Sequence, residues 1–231
     1  MDRKNCYEYP RPALTTDCVI FGFDGRGLKV LLVQRENPPF KNRWALPGGF
    51  VHEKENAGQS AKRVLLEKTG IRNVFIEQLY TFTQPGRDPR EWIVSVAYFA
   101  LVNSHQFKLI TGRDIVKAEW FSVNDIPVLA FDHNGILKKA LERLRGKVRY
   151  QPIGFELLAE KFTLTQLQQL YEAVLGVVID KRNFRKKISA MGLLKALNER
   201  EENVGRRAAQ FFSFDRKAYK KLTASGFNFE I

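Results

Sequence analysis

The stretch GGFVHEKENAGQSAKRVLLEKTGI, Gly48 to Ile71, decides how the first half of the chain is read. Its spacing predicts one helix over Ala57–Thr69, stopped by Gly70, because glycine accepts the left-handed conformation that closes a helix. On that helix, positions 64, 67 and 68 share a face, lying within about 100° of one another at 100° per residue. They are Val64, Glu67 and Lys68, which together carry no net charge.

Outward from this helix the pattern is strand-rich. LTTDCVIFGF and LKVLLVQR precede it, and NVFIEQLYTF and EWIVSVAYFALV follow it, as β-branched and aromatic runs separated by Gly, Pro, Asp and Asn. DGRG suits a tight turn between the first two runs. A second helix is expected in DHNGILKKALERLRG, where Ile136, Leu137, Ala140, Leu141 and Leu144 recur at helical spacing and Asp132 or Asn134 can cap the start. KVRYQPIGF then carries charge, a Pro and a Gly. The expected boundary falls there, between a domain of residues 1–149 and one of residues 150–231.

The second domain changes character. FTLTQLQQLYEAVLG pairs Thr163 with Gln166 in a capping box and places Leu164, Leu167, Leu170, Tyr171 and Val174 on one face. A short VVID connector leads to the helix KRNFRKKISAM, and LLKALNEREENVGRRAAQFFSFD suits a hairpin with a charged tip, followed by a polar end. Helix, turn, helix and hairpin is the order of a winged helix-turn-helix.

Net charge of +13 favours a polyanionic partner, nucleic acid first. The basic helix sharpens that expectation. With Lys181 as origin, Arg185, Ser189, Arg182 and Lys186 follow within about 140°, while Phe184, Ile188 and Met191 gather on the opposite side. A basic arc above an apolar docking stripe suits a helix in the major groove. Asp180 can cap it, Asn183 sits in its first turn, and Arg206 and Arg207 at the hairpin tip could reach phosphates or a minor groove. The plain alternative is a solvated basic face.

Aromatics at 12% of residues and 18 phenylalanines argue for a folded chain with a real core. No apolar run is long enough to span a membrane, and MDRKNCYEYPRPAL lacks the apolar centre of a secretory signal. A cytoplasmic protein with no membrane partner is expected. Cys6 and Cys18 have neither disulfide-framework nor metal-ligand spacing and read as ordinary thiols.

The opening stretch resembles the Nudix box, G, five residues, E, seven residues, R-E-U-x-E-E-x-G-U with U apolar. Gly49, Glu55, Arg63, Gly70 and Ile71 fill their places without a gap. The R-E glutamate is replaced by Val64; of the two later glutamates the first remains as Glu67 and the second is Lys68. In the family those three carboxylates hold Mg²⁺ or Mn²⁺, so the resemblance implies a cradle without its metal, no catalytic residues and no cofactor.

A degenerate Nudix domain followed by a winged helix resembles the Nudix-related transcriptional regulators of bacteria, including LAFDH and the DKRNFRKK helix. The fold implied is α+β: a Nudix-like mixed β-sheet flanked by helices, then a winged helix-turn-helix. The function implied is a homodimer on double-stranded operator DNA that senses ADP-ribose or a pentose such as L-arabinose. Candidate effector contacts are Arg35, Trp44, Phe50, Glu67, Lys68, Arg87 and Arg90, with Asp88 beside the last two. Trp44 and Phe50 fit a core role better than a ligand-stacking one, and Asp132 and His133 read as a helix start. The rival expectation is a metal-dependent hydrolase of nucleoside diphosphate-linked compounds, using Glu53, Glu55 and Glu67, with an accessory C-terminal domain. A further rival is a non-enzymatic adapter for RNA or protein.

Overall fold

The computed structural model describes residues 8–201, 208–227 and 229–230; Cys6, Arg206 and Arg207 lie outside them. Seven strands make a mixed sheet: β1 (Ala13–Phe23), β2 (Leu28–Arg35), β3 (Trp44–Ala45), β4 (Gly48–Phe50), β5 (Ile76–Phe82), β6 (Ile93–Asn103) and β7 (Ile115–Ser122). They run in the order β3-β2-β1-β6-β5, with β4 also paired to β1 and β7 to β2. β1 and β6 are parallel from Ala13 opposite Ile93 to Phe23 opposite Asn103.

β1 is buried from Thr15 to Phe23 because helices cover both faces of the sheet. The two-residue side-chain period divides its residues between two cores. Cys18 and Ile20 meet Ala61 and Leu65 of α1 (Ala57–Thr69), whereas Val19 and Phe21 join Ile136, Leu137, Ala140 and Leu144 of α2 (His133–Tyr150). Each Val, Ile, Leu or Phe among them contributes about 1.5–3 kcal/mol relative to exposure. Burial, helped by the neighbouring Asp17 charge, pushes the Cys18 thiol pKa up and keeps it protonated.

α1 has the expected bounds. Asn56 and Gln59 cap its start reciprocally, and Gly70 closes it at φ 76°. The β1–β2 hairpin closes because the Asp24 Oδ1 accepts the N–H groups of Arg26 and Gly27, each at 2.9 Å.

A 3-10 turn at Pro152–Leu157 follows α2 and leads to β8 (Phe162–Thr163), α3 (Leu164–Leu175), α4 (Lys181–Ala190), β9 (Leu194–Arg200), β10 (Gln210–Phe214) and α5 (Arg216–Ala224). Strands β8, β10 and β9 form the winged-helix sheet. The Thr163–Gln166 capping box is present, and Gly176 ends α3 in the left-handed region. The VVID connector is tied down by Gln168 and Glu172: the Gln168 Nε2 donates to the Ile179 carbonyl and the Ile179 N–H to the Glu172 Oε1, both at 3.0 Å.

Three expectations are corrected. The second helix, expected to end at Gly146, runs on through Tyr150, because Val148 is buried in the core that α2 shares with α3. The start of α2 has no side-chain cap, since Asp132 is engaged by Arg87 and Asn134 accepts the N–H of Leu129. The polar end contains α5, started by the Asp215 Oδ1 accepting the Ala218 N–H and anchored on the core by Tyr219 and Leu222.

Candidate functional site

A cavity of about 670 Å³ opens above the sheet between α1, the 110–115 loop and the start of α2. Six cations line it, Arg35, Arg63, Lys68, Arg87, Arg90 and Arg113, against the carboxylates Asp17, Glu67, Asp88 and Asp114. That excess of positive charge suits an anionic ligand.

The cations divide by how they are held. Arg63 donates to both retained glutamates, Glu55 on the preceding loop and, at 3.1 Å, Glu67 one turn on, and also to the Phe50 carbonyl at 2.9 Å. Its hydrogen bonds hold the Glu55 carboxyl at about 2. Lys68 donates to the Arg113 carbonyl at 2.6 Å and lies 3.4 Å from Asp114, so it fastens the 110–115 loop to α1. Arg90 grips Asp88 with two side-chain N–H groups. Arg35 donates to two backbone carbonyls, Pro39 and Asn37, while its guanidinium lies 4.9 Å from the Phe131 ring centre. Burial and the nearby Arg90 charge lower its pKa.

The cavity floor is a buried polar cluster. Asp17 accepts from the Ser95 hydroxyl at 2.6 Å, from the Arg87 guanidinium at 3.3 Å, and faces the His133 Nε2 at 3.4 Å. The His133 Nδ1 accepts the Leu46 N–H at 2.9 Å, so the proton on that ring sits on Nε2. Burial pushes the Asp17 pKa up, but His133, Ser95 and Arg87 outweigh it and hold it at about 2.

An acid-stability prediction follows from that depressed pKa. Stability from Asp17 is present above its unfolded pKa of 3.8 and is lost as pH falls from about 4 towards about 2. The loss should be about 2 kcal/mol. Urea titrations at stepped pH should show the loss in wild type and a flatter dependence in Asp17→Asn; parallel curves would refute it.

The cavity gathers Arg35, Phe50, Glu67, Lys68, Arg87 and Arg90. Trp44 is the correction: it packs edge-on against Phe121, 4.7 Å between ring centres, as part of the core under β2. Phe50 stands half-exposed at the rim with the Arg90 guanidinium 5.1 Å above its ring. His133, read with Asp132 as a helix start, lies on the floor, whereas Asp132 stands behind the lining and holds Arg87. Phe131 escaped the sequence reading; it stacks near both Arg35 and Arg90 and holds φ at 56°. A bulky side chain keeps that conformation only where its surroundings over-determine it.

The donors do not fit the family's divalent metal. Val64 is buried beneath Gly49, Glu67 is spent on Arg63, and Lys68 brings an ammonium to the same face. Glu53 does not line the cavity, and among the described residues no three His, Cys, Asp or Glu side chains are grouped to hold a metal.

A second surface lies on α4. Phe184 and Ile188 are buried, whereas Lys181, Arg182, Asn183, Lys186 and Ser189 are exposed. Asp180 caps the helix by accepting the Asn183 N–H at 2.8 Å. Arg185 differs from its neighbours: it is half-buried and donates to the Thr165 hydroxyl at 3.1 Å, which ties α4 to α3. No helix among the described residues is long and apolar enough to cross a membrane.

Comparison with known proteins matches both halves. Residues 11–144 match the NUDIX domain, and residues 154–214 the NrtR DNA-binding winged helix domain. The chain is 38% identical over 216 residues to an ADPR responsive transcriptional repressor of Acinetobacter baylyi, covering 92% of this chain and 86% of that protein. It is 36% identical over 137 residues to an ADP-ribose pyrophosphatase of Methanocaldococcus jannaschii, covering 59% and 78%. A crystal structure of Shewanella oneidensis NrtR complexed with a 27mer DNA superposes with a TM-score of 0.79 at 34% identity, covering 94% of this chain and 97% of that one.

Proposed function

The chain belongs to the family of regulators that join a Nudix domain to an NrtR-type winged helix, and from that premise we propose that it is a transcriptional repressor released from its operator by ADP-ribose. The observation that carries this reading is a cavity lined by six cations on a face where two of the three metal-binding carboxylates are replaced, by Val64 and Lys68, and the third, Glu67, is paired with Arg63. A bound diphosphate then meets charge complementarity without an activated water, so it can be held and released unchanged. The Acinetobacter relative responds to ADPR over a match spanning nearly the whole chain, which favours ADP-ribose over a pentose.

On this reading the protein works as a cytoplasmic homodimer, residues 1–149 sensing and residues 150–231 binding DNA. The two α4 helices enter successive major grooves of a palindromic site. ADP-ribose prefers the arrangement that does not fit the operator, and a preference of about 1–3 kcal/mol weakens DNA binding about 5–150-fold. A mobility-shift titration tests this. Operator should be released in proportion to added ADP-ribose and hold firm against L-arabinose; operator affinity indifferent to ADP-ribose would refute it.

The pyrophosphatase relative keeps a second reading in view, hydrolysis of the same ligand. Incubation with Mg²⁺ or Mn²⁺ separates the two. Sustained release of AMP, abolished by Glu67→Gln, would favour the enzyme; intact ADP-ribose after many binding cycles favours the sensor.

A further inference from the structure

α2 runs from the cavity to the helix that carries α4. Its first residue, His133, sits on the cavity floor, and about 27 Å later its last turns pack against α3. There the Arg145 Nε donates to the Val174 carbonyl at 3.0 Å, at the end of α3 that turns into α4. A helix with one face packed along its whole length passes a displacement of one end to the other, since packed interiors deform little.

The near end is held by a charged clamp. The Arg87 Nε donates to one Asp132 carboxylate oxygen at 2.9 Å and its Nη2 to the other at 2.7 Å. Asp132 stands at the N-cap position of α2 yet makes no capping bond. Both of its oxygens face a guanidinium that itself lines the cavity.

We propose that Arg87 and Asp132 are the residues through which cavity occupancy reaches the DNA-binding domain. This rests on the cavity being the ADP-ribose site. A diphosphate competes with Asp132 for the Arg87 guanidinium, which prefers a bidentate anion. Once displaced, the Asp132 carboxylate turns to the N–H groups of the first turn of α2, where an aspartate is favoured both as a cap and by the helix dipole. α2 therefore has two seats, one clamped to Arg87 and one self-capped, and the ligand favours the second because only there is Arg87 available to it. Such a differential interaction is what any ligand needs to shift a conformational equilibrium. Arg87 and Asp132 act as positioning residues for the response, and α4 is moved through α3.

The experiment measures three quantities on the full chain and on Asp132→Ala: operator affinity, ADP-ribose affinity, and the ratio of operator affinities without and with saturating ADP-ribose. In wild type the ratio should fall in the range of about 5–150. In Asp132→Ala it should drop to within about twofold of unity, and ADP-ribose should bind at least as tightly as to wild type, because no carboxylate then competes with it for Arg87. Asp132→Asn, which can cap the helix but cannot neutralise Arg87, should lose the response as well and covers the case in which the alanine variant does not fold. A residue that only stabilised the fold would weaken both affinities and leave the ratio alone. A wild-type ratio retained in the folded variants would overturn this proposal and leave the repressor reading standing. A wild type that ignores ADP-ribose would overturn both.

Discussion

With Lys181, Arg182 and Lys186 all replaced by alanine, the protein is expected to bind its operator about a hundredfold more weakly and to keep its fold and ligand affinity. The three side chains are exposed on the arc of α4 that faces away from the core, and α4 is docked by Phe184 and Ile188, which the substitutions leave alone. Each cation that meets a phosphate releases about one condensed counterion, so the slope of log affinity against log salt should become shallower by about 0.9 for every phosphate that is no longer neutralised. Fluorescence anisotropy across a salt series measures both quantities, and an unchanged slope would mean that α4 does not lie against the phosphate backbone. Arg185 belongs in a separate experiment. Its bond to Thr165 joins the two helices, so its removal mixes binding with the geometry of the helix-turn-helix.

Gly112→Ala should be the most damaging single methyl group in the Nudix-like half. A side-chain carbon at that position would lie 1.6 Å from the Glu67 carbonyl oxygen and 2.8 Å from its carbon. Backbone atoms of a capped helix cannot yield as a flexible side chain does, so the 110–115 loop must move off α1. That motion separates Lys68 from Arg113 and Asp114 and removes one wall of the cavity. A cost of about 2–4 kcal/mol is expected, with a fall in Tm of roughly 4–16 °C for a chain of this size. Gly135→Ala is the control: that position meets nothing within 4 Å and lies in α2, where alanine is the better helix former. If Gly112→Ala melts with wild type and keeps ligand affinity, the close approach of loop and helix is wrong.

Much of the architecture could be read because its determinants are local. Gly70, Thr163 with Gln166, Gly176 and Asp180 each act within a few residues, and all four do what their spacing predicts. The basic arc of α4 was equally plain, since helical periodicity alone separates it from Phe184 and Ile188. Long-range pairings were the ones that escaped. Asp132 has the residue type and place of a cap, and only the fold brings Arg87, 45 positions earlier, against it. Asp17 did leave a trace, a lone carboxylate within the apolar run TTDCVIFGF, but its partners Ser95 and His133 come from distant segments. Trp44, named as a cavity candidate but given the core as its stronger role, lies in the core, where β3 turns the indole towards Phe121. α5 was hidden because Tyr219 and Leu222 are too few apolar residues to form a visible stripe.

The length of α2 has a consequence for how such a chain can be taken apart. Residues 147–150, where composition suggests a joint, form the closing turn of a helix whose Val148 is sealed in the interior shared with α3. Protease, domain exchange or truncation aimed at that joint would have to sever a rod that both halves use as structure. The Nudix and winged-helix halves are thus poorly suited to be swapped as cassettes, and a working transplant should carry α2 and its 3-10 turn along with the winged helix.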